Sequence, residues 1–233
     1  MSFIKKSILA LALSVSYPVL AGEVNISKLR LDLINGKQSE YLTLRNDSPT
    51  ERAAFSINVK DWKQQSNVNI SSKDKNNIPE HLLNDTEDLG VFPKTIVIEP
   101  NQEKIVRVII KNKNAALSNY SYRLFLNQLQ VQDESNKNML SWKFNISVPI
   151  FVSAKTENLI TNIPFEATHD RQNNLVNFVN KSNYHVQIKR IISSAGEESM
   201  NFYILPNMTQ NLVVPANSEN IILVTDKGDI KIK

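Results

Sequence analysis

Cysteine is missing from all 233 residues, which removes disulfides, thiolate metal sites and cysteine nucleophiles together. Glycine is almost as scarce. The five glycines stand at 22, 36, 90, 196 and 228, and no two are close enough to build a loop that cradles phosphate, so the P-loop and the dinucleotide fingerprint are excluded. Histidine occurs as His81, His169 and His185, with neither the His-Glu-x-x-His spacing of a zinc protease nor the glycine-flanked nucleophile of a hydrolase elbow. His169 beside Asp170 could orient a base, but no nucleophile motif accompanies the pair, and a surface turn is the simpler account. No catalytic residue, metal site, cofactor or small-molecule substrate is expected.

Charge of one sign is also lacking. The formal net charge is +4, and the basic residues are scattered: Lys73, Asp74 and Lys75, or Lys111 and Lys113, fall in expected turns among acids and amides. Such a chain offers no polyanion-binding face, so no nucleic-acid partner is expected. Neither a tandem repeat nor a low-complexity segment occurs. The one long apolar run, Ile8 to Leu20, follows Lys5 and Lys6 and precedes the small residue Ala21, with Val19 two before it. This is the layout of a secretory signal. A retained anchor is the alternative, but the run is short for a spanning helix and is interrupted by Ser14, Ser16 and Pro18. Residues 1–21 are therefore expected to be a signal peptide, leaving 212 residues from Gly22. That is enough for one large β domain or two of immunoglobulin size.

What is present is strand patterning. Residues 140–152 read LSWKFNISVPIFV and place Leu140, Trp142, Phe144, Ile146, Val148, Ile150 and Val152 at every even position, with polar Ser141, Lys143, Asn145 and Ser147 between them. A period of two belongs to a strand with one apolar face. The run exceeds the usual strand of about five or six residues, which suggests that part of it serves a partner. Further strands are expected at Val24–Leu33, Glu40–Arg45, Ala54–Trp62, Thr95–Ile98, Lys104–Ile110 and Tyr120–Gln130. Reversals at Asn35-Gly36, Asn46-Asp47-Ser48-Pro49 and Glu99-Pro100-Asn101 separate them. Gln64 to Asp88 reads as a long polar loop, with a short helical turn at Ile78–Leu83. Seven strands suit one immunoglobulin-like sandwich.

A polar joint at Ser153 to Glu157 marks the expected division, giving an N-terminal domain over 22–154 and a smaller one over 155–233. In the second, strands are expected at Asn174–Val179, His185–Ile192, Phe202–Leu205, Asn211–Val214, Glu219–Thr225 and Ile230–Lys233. The Asn-x-Ser/Thr triplets, at Asn25, Asn69, Asn84, Asn119, Asn145, Asn207 and elsewhere, are read as Asn-rich turns and strands, not as glycosylation sites.

In this order the pieces resemble the PapD-like periplasmic chaperones of the chaperone-usher pilus pathway. The segments that carry the resemblance are LRLDLINGKQSEYLTLRN, FPKTIVIEPNQEKIVRVII, YSYRLFLNQLQ and the long strand ending VPIFV, then LVNFVNKSNYHVQIKRI and FYILPNMTQ. The VPIFV ending and the Tyr122-Arg123-Leu124 triplet look more like the archaic, spore-coat-U-type branch. The resemblance implies an all-β chain of two immunoglobulin-like sandwiches set at an angle. It implies a periplasmic, non-enzymatic protein that complements pilin subunits with a donor strand and delivers them to an outer-membrane usher. By position Leu140, Trp142, Phe144 and Ile146 are the donor residues, whereas Val148, Ile150 and Val152 belong to the chain's own core.

The family also anchors the subunit's terminal carboxylate on basic side chains between the domains. Arg30 looks like the first anchor. The place of the second, a lysine, falls on Pro149, which can neither pair with a carboxylate nor donate in a sheet. Arg123 is the substitute candidate and Lys143 the next; for each arginine, a solvated strand position is the plain alternative. A secreted structural or adhesive protein of a surface fibre remains the rival reading, although Gly22 to Ser27 is short for a donor extension of its own. Self-association through the apolar edge is left open.

Overall fold

The structure, a computed structural model, describes residues 24–72, 81–112, 120–130, 144–153 and 165–232, without the side chains of residues 81 and 82. Within them the chain is all-β. The strands are β1 (Val24–Ile26), β2 (Leu31–Ile34), β3 (Ser39–Asn46), β4 (Ala53–Gln64), β5 (Asn69–Ile70), β6 (His81–Asp85), β7 (Leu89–Phe92), β8 (Thr95–Ile98) and β9 (Glu103–Ile110). They continue as β10 (Tyr120–Leu129), β11 (Asn145–Ser153), β12 (Phe165–Asp170), β13 (Leu175–Asn180), β14 (Val186–Ser193), β15 (Gly196–Ile204), β16 (Thr209–Val213), β17 (Ile222–Thr225) and β18 (Gly228–Lys231).

One sandwich sets the sheet β1-β3-β9-β7 against β2-β11-β10-β4-β6, with β8 also paired to β4. Alternation fills its core: Leu42 and Leu44 from β3, Val106 and Val108 from β9, Tyr122, Leu124 and Leu126 from β10, and Val148, Ile150 and Val152 from β11 meet in one cluster. The single strand expected over Val24–Leu33 is two, because the chain leaves β1 in one sheet and enters β2 in the other. Glu40, buried on β3, is closed off by Lys28 and Lys37. The expected helical turn at Ile78–Leu83 is corrected by β6, which pairs antiparallel to β4 from Gln64↔His81 to Lys60↔Asp85. A polar stretch can form a strand there because its partner β4 supplies the backbone bonds.

The other sandwich sets β12-β13-β16-β5 against β15-β14-β17-β18, around Val176, Phe178, Ile188, Ile204, Leu212 and Leu223. Two of its features were not expected from the sequence. Phe165–Asp170 forms β12, and β15 begins six residues before Phe202. The expected division at 154/155 lies outside the described residues. One short strand crosses between the halves of the chain: β5 runs parallel to β16, pairing Asn69↔Asn211 and Ile70↔Leu212.

Asparagine takes over glycine's usual work at the corners. Eight asparagines, at 35, 67, 101, 174, 201, 207, 217 and 220, have φ between 46° and 61°, the left-handed region that this side chain tolerates better than most. At the Asn35-Gly36 reversal both central residues have positive φ, 58° and 75°, and Lys37 N–H donates to Ile34 C=O at 3.1 Å. A second use of asparagine recurs in both sandwiches. Buried Asn46 donates through Nδ2 to the carbonyls of Glu51 and Ile98, at 2.7 and 3.1 Å, and accepts Ser48 N–H on Oδ1. Buried Asn180 donates likewise to Tyr184, Ile204 and Leu205 and accepts Ser182 N–H. These amides are consumed by the fold, so the triplets Asn46-Asp47-Ser48 and Asn180-Lys181-Ser182 are corner locks.

Candidate functional site

The ladder of β11 is asymmetric. On one side it pairs antiparallel with β10 along its whole length, from Asn127↔Asn145 to Tyr120↔Val152. On the other, β2 runs parallel to it and covers only Ile150 to Ser153, against Leu31 to Ile34. Among the described residues nothing pairs with Asn145–Pro149 on that side, which leaves an open edge of backbone groups closed at one end by β2. Pro149 sits on this half-paired stretch, the setting in which a strand tolerates a missing N–H.

Side chains divide along the strand. Val148, Ile150 and Val152 are in the chain's own core, as expected, while Ile146 is half-buried and packs on the rim of the same cluster. Phe144 is 49% exposed, its N–H held by Gln128 Oε1 at 2.9 Å and its carbonyl by Gln128 N–H at 3.0 Å. Leu140, Trp142 and Lys143 lie outside the described residues.

Beyond the closed end of this edge is an aromatic cluster between the sandwiches. Trp62 of β4, Phe151 of β11 and Leu205 after β15 are buried together, with Tyr203 against them. The Trp62 and Phe151 ring centroids are 6.0 Å apart, and Tyr203 is 5.2 Å from Phe151. His185 is stacked on Phe151 at 3.4 Å. The two arginines singled out in the sequence lie over adjacent rings of this cluster, Arg30 at 5.8 Å from the Phe151 centroid and Arg123 at 4.3 Å from that of Trp62.

Their electrostatics differ. Arg30 Nε binds Asp32 Oδ2 at 2.9 Å and its Nη1 reaches Asp226 Oδ2 at 3.5 Å, across the sandwich boundary. Burial works against its charge, but Asp32 and then Tyr203 outweigh it, so the guanidinium is held more firmly protonated than usual. Arg123 donates from Nη1 to Ser147 Oγ at 3.1 Å, and its buried Nε has no acceptor. No acid among the described residues pairs with it. Burial pushes its pKa down to about 10, leaving a cation that is still charged at neutral pH and uncompensated. Lys227, 3.7 Å from Asp226, adds a third cation. Among the described residues, three basic groups against Asp32 and Asp226 give the cleft a formal charge of +1. His185 does not add to it: burial first, then Arg30 and Lys227, hold the imidazole pKa well below its usual value.

Sequence reasoning reached both arginines but missed the rings beneath them, and the acids that engage Arg30. One signal was available. Polar residues fill the odd positions of the long strand until Pro149 and Phe151, and loss of alternation means that both faces of a strand are covered.

No protein-family model and no curated sequence matches the chain. Solved structures do. The chaperone–tip adhesion subunit pre-assembly complex CsuC–CsuE of the archaic chaperone-usher Csu pili of Acinetobacter baumannii is similar at 15% identity and a TM-score of 0.63, over 90% of this chain and 98% of that one. The Salmonella enterica SafA pilin complex with the SafB chaperone is similar at 13% identity and 0.62, over 90% and 95%. The E. coli chaperone DraB is similar at 14% and 0.59, over 91% and 96%. At such identities the likeness is one of fold, and that fold is the two-sandwich, PapD-like chaperone fold.

Proposed function

We propose that this protein is a periplasmic chaperone that holds a pilus subunit by lending it the edge of β11 and passes it to an outer-membrane usher, without cofactor or catalysis. The observation that carries the reading is the half-open edge of β11 ending at a positively charged cleft. Backbone bonds along such an edge give affinity, and alternate side chains set register. Phe144, and Leu140 and Trp142 before it, continue the apolar row into the partner, with Ile146 at the rim. Each such residue stabilises a complex by roughly 1.5–3 kcal/mol when fully buried.

The closed end fixes where an added strand stops. Leu31 already stands opposite Ile150, so a strand laid on Asn145–Pro149 meets β2 end to end and finishes beside Arg30. Charge then selects its direction. Running parallel to β11, it brings a C-terminal carboxylate to the cleft; running antiparallel, it brings an amino terminus. A cleft of net positive charge favours the carboxylate. Arg123, whose Nε has no acceptor, is the free receptor, and Arg30, shared with Asp32 and Asp226, closes the far side. Guanidinium groups suit this task because they bind carboxylates through two parallel bonds.

Affinity capture from periplasm tests the reading with wild type, Trp142→Asp, Arg30→Ala and Arg123→Ala. A small pilin-like protein should come down with wild type, vanish with Trp142→Asp, and fall at least tenfold with Arg123→Ala. Polymers of the chain itself, with no second protein, would instead mark it as a structural or adhesive component of a fibre.

A further inference from the structure

The segment after β4 leaves the first sandwich and enters the second. Ile70 is buried in the second core, and its strand β5 joins a sheet whose other members, β12, β13 and β16, begin at Phe165. Around it the two parts of the chain exchange amide bonds in both directions. Gln210, fully buried on β16, donates from Nε2 to Gln65 C=O at 2.7 Å and accepts Val68 N–H on Oε1 at 3.2 Å. Gln64 mirrors it, donating to Tyr203 C=O at 2.7 Å and accepting Leu205 N–H at 2.9 Å. Asn67 N–H donates to Thr209 C=O and Asn211 N–H to Val68 C=O, at 2.8 and 3.1 Å. Farther along, Ser72 Oγ lies 2.7 Å from Glu198 Oε2 on β15, so the segment engages both sheets of the second sandwich.

We propose that the outer edge of β16 is a strand-binding site whose ligand is residues 65–70 of the same chain, and that the second sandwich keeps its native packing only while this segment is seated. Three physical reasons converge. Without the segment β16 becomes a bare edge. The Gln210 amide, buried and using both its donor and its acceptor on the segment, is left unsatisfied, which is among the costlier defects a core can carry. The remaining residues, 165–232, form a sandwich of the size at which one core alone rarely suffices. The ligand has a definite chemistry: an extended segment with one branched apolar side chain at the position of Ile70, and a residue that accepts positive φ at the position of Asn67, where φ is 61°. Because Gln64 grips Tyr203 and Leu205, seating the segment also fixes the floor on which Arg30 and Arg123 rest.

Hydrogen exchange read by mass spectrometry on the full chain tests this with Ile70→Asp, Gln210→Ala and, as control, Arg171→Ala, an exposed position in the turn between β12 and β13, outside the site. Amides of β13, β14, β16 and β17 should exchange at least tenfold faster in the first two variants, while those of β9, β10 and β11 keep wild-type rates and the control matches wild type. A synthetic peptide of residues 64–72, added in excess to the Ile70→Asp chain, should restore slow exchange in β16, and a scrambled peptide should not. Should Ile70→Asp fail to fold, Gln210→Ala is read in the same way, since it removes the amide clamp and leaves the apolar contact. Wild-type exchange in Gln210→Ala, equal loss in both sandwiches, or no rescue by the peptide overturns the proposal.

Discussion

Arg123 carries its charge into a half-buried place with one hydroxyl and the face of Trp62 against it, and no acid among the described residues. In the free protein the ring offsets only part of the desolvation loss, which an apolar side chain of similar volume avoids. Arg123→Met should therefore leave the fold as stable or raise it by on the order of 1 kcal/mol, measured by urea denaturation, while capture of the subunit is lost. Equal loss of stability and capture would mean that the arginine is structural. The buried asparagines behave in the opposite way. Asn46→Ala and Asn180→Ala each take the amide donor from carbonyls at a buried or half-buried corner, and each should cost about 2–4 kcal/mol on the same assay, with binding by the remaining folded protein unchanged. Both roles were only half legible in the sequence. Arginine and asparagine could be picked out by position, but whether an acid or a carbonyl faces them is decided by residues far along the chain, such as Asp226 for Arg30 and Ile98 for Asn46.

Among the elements, β11 does two jobs along one row of alternate residues. Its later half fills the core, so Ile150→Ala should destabilise by about 2–5 kcal/mol. Its approach does not, so Phe144→Ala should leave the melting temperature within a degree or two and weaken capture several-fold. Calorimetry paired with a binding titration separates the two. Period-two patterning makes this strand, β3, β9 and β10 readable from their residues alone. β12 escapes because its alternation, in FEATHD, carries only Phe165 and Ala167 as apolar members, too weak a signal without the partner β13. β6 escapes for a related reason: its place is given by β4, whose twelve residues outrun the sandwich core and offer an edge to a polar segment.

For the molecule as a whole, the junction between sandwiches carries a pH response of its own. His185 is neutral there, stacked on Phe151 and facing Arg30, Lys227 and Tyr203. Its folded pKa lies below 6.5, so in acid the unfolded chain takes up a proton before the folded one does, and stability falls as pH drops below about 6.5. The slope attributable to this residue is at most about 1.4 kcal/mol per pH unit. His185→Phe, which keeps the stack, should flatten the curve of urea midpoint against pH between 7.5 and 5; an unchanged slope would place the pH response elsewhere. One sandwich and a second β series after it were legible from turn chemistry and strand spacing, and the pair of sandwiches from the family resemblance, whereas the junction was not, because Trp62, Phe151, His185 and Tyr203 come from four separate stretches of the chain. The parallel abutment of β2 on the end of β11 carries one last consequence. On the proposed function, a slot blocked at one end measures its occupant from the terminus inward, so a subunit lengthened by even a few residues at its C-terminus runs into Leu31 before its side chains reach register. The protein thus reads where its partner ends, and a subunit carrying a C-terminal tag is refused however well its interior matches.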